Sequence, residues 1–343
     1  EAVFPGDYVT VTNSGTAESE PTFILQPTQP VTFALIQNQE NEYMMIGKPA
    51  DVEESVVDER TTYFTERGET LEAWDSTPVS PSSGSFTTTG DAIVVNSWGT
   101  GSAWHGPVLM REIDATQDFE VEMYVYIRTD QPTRTFMTSF NLFDEGLNEL
   151  AMMRVWDKTT NQVRKVAEAR VGPYIDTYQN YLIDDRNYNI RGQRVWGGIL
   201  RLRRIGNEFE FYVARVTQSG RHTHSIKQTF TDNTGDYAGR LKYVQFDVKN
   251  YGTTQTPNEI RVEYIKVTKL NKATVDQTPY IAYPGDEIIF DHKSEEILIN
   301  GEDATSLKQF GASYFNLEKG ANELIVQPSN SFGVGLKYRE KFK

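Results

Sequence analysis

Hydrophobic and polar residues alternate with a period of two along most of the chain. In residues 120–127, Val121, Met123, Val125 and Ile127 alternate with glutamates and tyrosines. Such alternation is typical of a strand that has one face buried and the other in water. Similar alternation recurs at 199–204, 209–216, 241–248 and 260–268. The pattern predicts an all-β protein in which helix is a minor ingredient.

Turn-forming residues separate these runs. Gly206-Asn207, residues 250–252 and Asn300-Gly301 each follow a strand-like run. Asn-Gly is the strongest of these signals, because both residues tolerate the positive φ that a two-residue hairpin requires. The turns recur at the intervals expected of antiparallel β-sandwiches.

Charge divides the chain into two parts. Residues 1–74 and 271–343 together carry 11 Lys and Arg against 25 Asp and Glu, whereas residues 75–270 carry 23 of each. The whole net charge of −14 therefore lies in the two ends. We predict a discontinuous domain built from 1–74 and 271–343 and a second domain, 75–270, inserted into it. The Ser/Pro/Gly-rich residues 76–85 are expected to mark the entry into the insert.

Composition excludes several classes of protein. The chain has no Cys, so disulfide scaffolds, thiol catalysis and cysteine metal sites are excluded. It contains neither an apolar run of about 20 residues nor a signal sequence, and its acidity disfavours nucleic acid and anionic membranes. Since the chain starts with Glu1 instead of Met, we expect it to be part of a longer protein.

Both ends of the chain resemble the C-terminal domain of siphophage distal tail proteins. The matching segments are 13–21, 42–47, 283–291, 297–304, 315–324 and 336–339. The resemblance covers about 1–48 and 280–343. It implies a galectin-like β-sandwich in the virion, at the tail tip or baseplate of a phage that infects Gram-positive cells, in contact with other tail proteins. The belt domain that forms a hexameric ring in this family is absent here, so a homo-hexamer is expected only of a longer protein.

The insert is similar to a concanavalin-like jelly roll of the kind found in carbohydrate-binding modules. The similarity rests on its length, its all-β pattern and the segments 90–95, 104–109, 118–123 and 208–212. It implies a sheet face curved enough to hold an oligosaccharide. Four of the five Trp and a Tyr-rich stretch, 172–188, lie in this insert.

Aromatic rings stack on the apolar faces of sugars, so these residues are the candidate carbohydrate-binding site. The candidates are Trp98, Trp104, His105, Trp156, Tyr174, Tyr178 and Trp196. Trp98 and Trp104 are favoured because they lie in the Gly-rich residues 97–106. Packing in the core is the alternative for every Trp, and a protein contact is the alternative for the Tyr-rich stretch.

Catalytic and metal-binding interpretations have less support. Jelly-roll glucanases use a Glu-x-Asp-x-x-Glu motif, which is absent; Glu120 and Glu122 supply two carboxylates on one strand face. His222 and His224 are a weak zinc pair, and Asp144, Asp157, Asp184 and Asp185 are candidates for structural calcium. We therefore predict a non-enzymatic tail component without a cofactor, whose insert binds host wall polysaccharide. A wall-glycan hydrolase and an insert that binds other baseplate proteins remain the alternatives.

Overall fold

The computed structural model describes residues 2–5, 8–50, 55–75, 79–176, 180–271 and 277–343. The first strands are β1 (Ala2–Pro5), β2 (Tyr8–Asn13), β3 (Thr22–Pro27), β4 (Phe33–Asn38), β5 (Tyr43–Gly47) and β6 (Ser55–Val57). The next eight are β7 (Arg60–Glu66), β8 (Ser85–Thr88), β9 (Ile93–Ser97), β10 (Trp104–His105), β11 (Val108–Thr116), β12 (Phe119–Arg128), β13 (Phe136–Asp144) and β14 (Glu149–Asp157).

The chain continues with β15 (Arg164–Val171), β16 (Tyr181–Ile183), β17 (Asn189–Arg191), β18 (Val195–Ile205), β19 (Glu208–Val216), β20 (His222–Thr231), β21 (Leu241–Tyr251) and β22 (Glu259–Leu270). The last strands are β23 (Gln277–Pro279), β24 (Ile288–Asp291), β25 (Glu296–Ile299), β26 (Glu302–Asp303), β27 (Gly320–Gln327) and β28 (Phe332–Lys337). Within the described ranges, helix is limited to one 3-10 turn, Thr305–Leu307. The predicted all-β fold class is confirmed.

The first of two compact units comprises Glu1–Glu59, Gln218–His222 and Ala273–Lys343. Its larger sheets have the strand orders β1-β28-β3-β24-β25-β26 and β2-β27-β4-β5. Alternate residues of both sheets form one apolar core around Phe23, Ile36, Phe290 and Leu324. This unit is therefore a β-sandwich made from both ends of the chain.

The second unit comprises Arg60–Thr217 and Thr223–Lys272. One of its sheets has the order β10-β21-β13-β14-β15-β16, with β11 also on β21 and β17 also on β15. The other has the order β20-β19-β18-β12-β22-β9-β8, with β7 also on β22. Both contribute to a single core that includes Phe136, Phe140, Phe211 and Phe246. The unit is a larger β-sandwich with two eight-stranded sheets.

Local patterns predicted the strands well. Val121, Met123, Val125 and Ile127 are all fully buried on β12, as the alternation requires. Asn300 and Gly301 have φ of 51° and 81° at the turn between β25 and β26, as the Asn-Gly hairpin signal predicts.

The boundary between the two units differs from the predicted one. Residues 60–74 lie in the second unit, because β7 pairs with β22 from Ile265 opposite Glu66 to Leu270 opposite Arg60. The described part of the Ser/Pro/Gly-rich stretch, residues 79–85, lies inside that unit instead of at its entry. Ser80 holds it to the sheet, since its backbone N–H donates to Gln245 Oε1 at 3.1 Å and its hydroxyl accepts from Gln245 Nε2 at 2.9 Å.

His292 is buried in the core of the first unit and is held there in its neutral form. Its ring packs against Phe23, Tyr314 and Phe315 with centroid separations of 5.1, 5.4 and 4.5 Å. Nδ1 lies 2.8 Å from backbone atoms of Phe315, and Nε2 has no partner among the described residues. Burial lowers the pKa of His292 to about 4.

We predict that His292 makes the first unit sensitive to acid. Between its unfolded pKa near 6.5 and about 4, the unfolded state binds the proton and the folded state does not, so stability falls as the pH falls. The loss approaches about 3 kcal/mol at pH 4, at about 1.4 kcal/mol per pKa unit. Denaturant unfolding of the parent and of His292→Gln, each at pH 7 and at pH 4.5, measures the loss of unfolding free energy. We expect a smaller loss in the variant. An equal loss in both proteins would assign the acid sensitivity to other groups.

Candidate functional site

One face of the sheet that contains β13, β14 and β15 points away from the core. The alternating residues Phe140, Met153, Ala167 and Phe246 belong to the core. Their neighbours along each strand therefore face outward. We call this surface the outer face.

A polar row crosses four strands of the outer face. Strand register places Asp247 opposite Ser139, Ser139 opposite Arg154, and Arg154 opposite Glu168. The Ser139 hydroxyl donates to Asp247 Oδ1 at 2.8 Å, and Arg154 Nε donates to Glu168 Oε2 at 2.7 Å. Lys249 Nζ lies 3.5 Å from Asp247 Oδ2. Each carboxylate of the row thus has a donor or cation beside it.

Arg154 connects this polar row to aromatic rings on both sides. Its guanidinium carbon lies 4.2 Å from the centroid of Trp156 and 5.7 Å from that of Tyr181. Its Nη2 donates to the Tyr181 hydroxyl at 2.9 Å. Burial raises the pKa of Tyr181, so its hydroxyl stays protonated. The ion pair with Glu168 fixes the guanidinium, and the guanidinium in turn orients both rings.

Further rings extend this arrangement at both ends. Trp104 lies 5.8 Å from Trp156 and 5.4 Å from Tyr251 between centroids, and Tyr174 lies 5.7 Å from Tyr181. We call the six side chains the aromatic strip, in the order Tyr251, Trp104, Trp156, Arg154, Tyr181 and Tyr174. β10, β14, β16, β21 and the segment after β15 contribute to it.

The strip is covered at its centre and open at its ends. Trp156 is only 8% exposed. Two cations lie over its ring: Arg154, as described above, and Lys158, whose Nζ is 4.4 Å from the ring centroid. Tyr174 and Tyr251 are each 45% exposed. Trp156 therefore supports the strip, while the terminal rings offer surface to a ligand.

The sequence candidates divide among several environments. Trp104, Trp156 and Tyr174 come together in the strip. His105 adjoins Trp104 on β10, is half-buried, and has Nδ1 3.0 Å from the Ala103 carbonyl oxygen. Tyr178 lies outside the described residues.

Trp98 lies at a different place from the strip. It lines a cleft of about 420 Å³ at the ends of β9 and β22, which belong to the other sheet. The same cleft is lined by Thr89, Asp91, Val94, Val95 and residues 257–261.

The prediction for Trp196 is wrong. Its side chain is fully buried in the core of the second unit, and Nε1 donates to the Tyr188 hydroxyl at 3.0 Å. Its strand, β18, lies between β12 and β19 inside the sheet. Trp196 is thus a core residue.

The sequence did not single out Tyr251, Arg154 or Tyr181 as site residues. Tyr181 belongs to the Tyr-rich stretch, and Tyr251 lies in a predicted turn. Nothing in the sequence around Arg154 indicated that it belongs to a binding site. Its role depends on residues 14 and 27 positions away in sequence, which only strand pairing brings to it.

The two glutamates considered for catalysis lie on β12, in the other sheet. Glu122 Oε1 accepts from the Tyr264 hydroxyl at 2.6 Å, and its Oε2 lies 3.7 Å from Arg201. Burial raises the pKa of Glu122. Glu120 lies 3.6 Å from Arg60. Both carboxylates are thus engaged with side chains of other strands of the same sheet.

On the outer face, Asp247 and Glu168 are the carboxylates of the polar row. They are three strand positions apart, which corresponds to about 14 Å at about 4.8 Å per strand. Glycosidases hold their two carboxyl groups roughly 5 to 9.5 Å apart. The backbones of this pair are farther apart than that range, and Ser139 and Arg154 lie between the two carboxylates.

The calcium and zinc candidates are not brought together. Asp144, Asp157 and Asp184 accept hydrogen bonds from nearby backbone N–H groups, and Asp185 lies 3.4 Å from Arg164. In the described part of the chain, no three His, Asp or Glu residues are arranged to hold a metal ion, and His222 and His224 find no third ligand. The same residues include no helix with the length and apolarity to cross a membrane.

These features define a protein of two β-sandwiches with an aromatic surface on one sheet. Residues 251–342 match the family model described as siphovirus-type tail component, C-terminal domain. The match covers the C-terminal part of the chain, and it confirms the predicted resemblance to siphophage distal tail proteins and the predicted location in the virion tail. No curated protein matches the chain.

Several solved structures are distantly similar. The CBM2 module of the evolved Dit of Lactobacillus casei BL23 phage J-1 has 12% identity and a TM-score of 0.45, covering 75% of this chain and 99% of that one. SCLam, a non-specific endo-β-1,3(4)-glucanase of family GH16, has 11% identity and a TM-score of 0.42, covering 72% and 97%. A legume lectin-like domain from Entamoeba histolytica has 13% identity and a TM-score of 0.35, covering 63% and 100%.

We predict that Trp196→Ala destabilises the second unit by about 3 to 5 kcal/mol, because it opens a large cavity and leaves the Tyr188 hydroxyl without its donor. Trp104→Ala, at a half-buried position, should cost about 1 kcal/mol or less. Denaturant unfolding of both variants measures the contrast. Similar losses in the two would contradict the assignment of Trp196 to the core.

Proposed function

We propose that this tail component acts at the tail tip or baseplate and that its aromatic strip binds a polysaccharide of the host cell surface during adsorption. The observation that carries the proposal is the strip itself. Five rings and a guanidinium from separate segments form one continuous row on a sheet face, with exposed rings at both ends.

The chemistry of the strip suits a sugar chain. Aromatic faces pack against the C–H faces of sugar rings. The Tyr251 hydroxyl can form hydrogen bonds with a sugar hydroxyl, whereas the Tyr174 hydroxyl already donates to Asp176 at 3.2 Å and the Tyr181 hydroxyl accepts from Arg154. Successive ring centroids in the outer parts of the strip are 5.4 to 5.8 Å apart. A linear polymer lying along the strip would therefore meet neighbouring rings at each end, on either side of the covered Trp156.

Rigidity favours binding as well. The central Arg154 is held by Glu168 and by the Tyr181 hydroxyl, and Trp156 is held between Arg154 and Lys158. Side chains that are already ordered lose little entropy when a ligand binds. The neutral residues 75–270 also lack the acidity of the chain ends, so they present no excess negative charge to an anionic cell wall.

Hydrolysis by the outer face has no comparable support. Ser139 and Arg154 lie between Asp247 and Glu168 on the sheet, and each of the two carboxylates already has a partner there. We therefore propose binding without turnover.

We predict that Trp104→Ala and Tyr251→Ala each weaken binding by about 30-fold, the effect of removing an aromatic residue worth about 2 kcal/mol at the centre of an interface. The measurement is isothermal titration with wall polysaccharide from the strain on which the phage is propagated. Phe310→Ala is the matched control, because Phe310 is a fully exposed aromatic residue of the first unit and should leave affinity unchanged.

Three outcomes would contradict the proposal. Retained affinity in both strip variants would place the binding surface elsewhere. Release of reducing ends from the polysaccharide by the parent protein would establish turnover. Absence of binding, together with capture of a baseplate protein that depends on Trp104 and Tyr251, would make the strip a protein interface.

A further inference from the structure

Three basic side chains lie in a row beside the centre of the aromatic strip. On β15, Val166 is opposite Trp156 and packs with it on the outer face. Arg164, two residues before Val166, lies on the same face and is opposite Arg191 of β17. Lys158, two residues after Trp156, continues this antiparallel register next to Arg164, and its Nζ over the Trp156 ring places it on the outer face as well. We call Lys158, Arg164 and Arg191 the basic row.

The basic row carries more positive charge than the carboxylates around it balance. Arg164 Nη2 lies 3.4 Å from Asp185 Oδ2. Lys158 and Arg191 are exposed, and in the described part of the chain neither side chain forms an ion pair or a hydrogen bond. Asp157 is 1% exposed and accepts from two backbone N–H groups, so it does not face a ligand. Two exposed cations thus lack a carboxylate partner, in a chain whose net charge is −14.

Lys158 is also the group that a ligand would meet at the centre of the strip. Trp156 is only 8% exposed, and the charge of Arg154 is already paired with Glu168. The Lys158 ammonium lies over the indole ring but is itself exposed, so it can donate to a ligand. The strip therefore presents a cation between its two open aromatic ends.

We infer that the basic row binds an anionic group of the polysaccharide, a phosphate diester or a carboxylate, while the rings of the strip hold the adjoining sugars; this inference rests on the proposed function of the strip. Both anions pair with the compact charge of Lys and with the planar donor fork of Arg. Lys158 and Arg191 are two strand positions apart, about 10 Å at about 4.8 Å per strand, so their long side chains can reach one group. A neutral polymer would gain no ionic contact here.

The test compares the parent with a row variant of the full chain, in which Lys158→Gln and Arg191→Gln are combined. Both positions are exposed, so the fold is preserved. The probe is the same wall polysaccharide, titrated calorimetrically at about 0.05 M and about 0.5 M salt. At low salt we expect the row variant to bind about 10-fold more weakly, and at high salt the difference should largely disappear because exposed charges are screened. The loss caused by Trp104→Ala should be similar at both salt concentrations.

Arg128→Gln combined with Lys227→Gln is the matched control. It removes the same charge from β12 and β20 of the other sheet, where the two side chains are 44% and 51% exposed. Its affinity at low salt should equal that of the parent. A loss as large as that of the row variant would assign the effect to overall charge and overturn the inference.

A second arm removes charge from the polymer and identifies the group that is bound. Hydrofluoric acid cleaves phosphate diesters, and carbodiimide-mediated reduction converts carboxylates to alcohols; treated and untreated polymers are compared at matched fragment length. One treatment should weaken the parent to the level of the row variant and leave the row variant unchanged.

Two results would overturn the basic row and leave the proposed function standing, provided that Trp104→Ala still weakens binding. The first is equal affinity of the parent and the row variant at low salt. The second is a parent that binds both treated polymers as well as the untreated one. A parent that binds no polysaccharide would overturn both proposals.

Discussion

The antiparallel pairing of β7 with β22 is the interaction on which the second unit depends. An inserted domain must begin and end at neighbouring points, because its host has only one loop in which to accommodate it. β7 opens the second unit and β22 closes it, and the two are hydrogen-bonded neighbours from Arg60 opposite Leu270 to Glu66 opposite Ile265. Within the first unit, β6 and β23 pair in parallel on either side of the interruption. Both units are therefore closed by strand pairing where the chain passes between them.

Closure by pairing leaves the faces of the sheets available for recognition. Each sheet of the second unit buries one face in the shared core, so the other face carries polar and aromatic residues without loss of core packing. On the outer face, the row from Asp247 to Glu168 balances charge across four strands. The aromatic strip rests on this row through Arg154. The centre of the strip, Arg154 and Trp156, lies on the central strand β14 and is held more rigidly than a loop would hold it.

Much of the fold could be predicted from the sequence, because strand alternation and turn chemistry are local. The buried face of β12 and the Asn300-Gly301 turn follow from a few consecutive residues. The start of the second unit did not follow, since net charge carries no information about the pairing of β7 with β22. A fully buried Lys165 was equally unexpected: its Nζ donates to the Thr129 hydroxyl and the Gln193 carbonyl oxygen, both at 2.7 Å, and burial lowers its pKa to about 8.

The tryptophans show why a site is harder to predict than a strand. Residue type alone makes Trp104, Trp156 and Trp196 equal candidates for a binding site. Whether each is exposed depends on the face and the sheet on which it lies. Trp196 lies on the core side of a central strand, whereas Trp156 lies on the outer side, two residues from Arg154. Arg154 becomes a binding-site residue only because β15 and β16 bring Glu168 and Tyr181 to it. Recognition in this protein is thus a property of strand pairing: the residues that would touch a ligand are ordinary in sequence and become a site through their neighbours across the sheet.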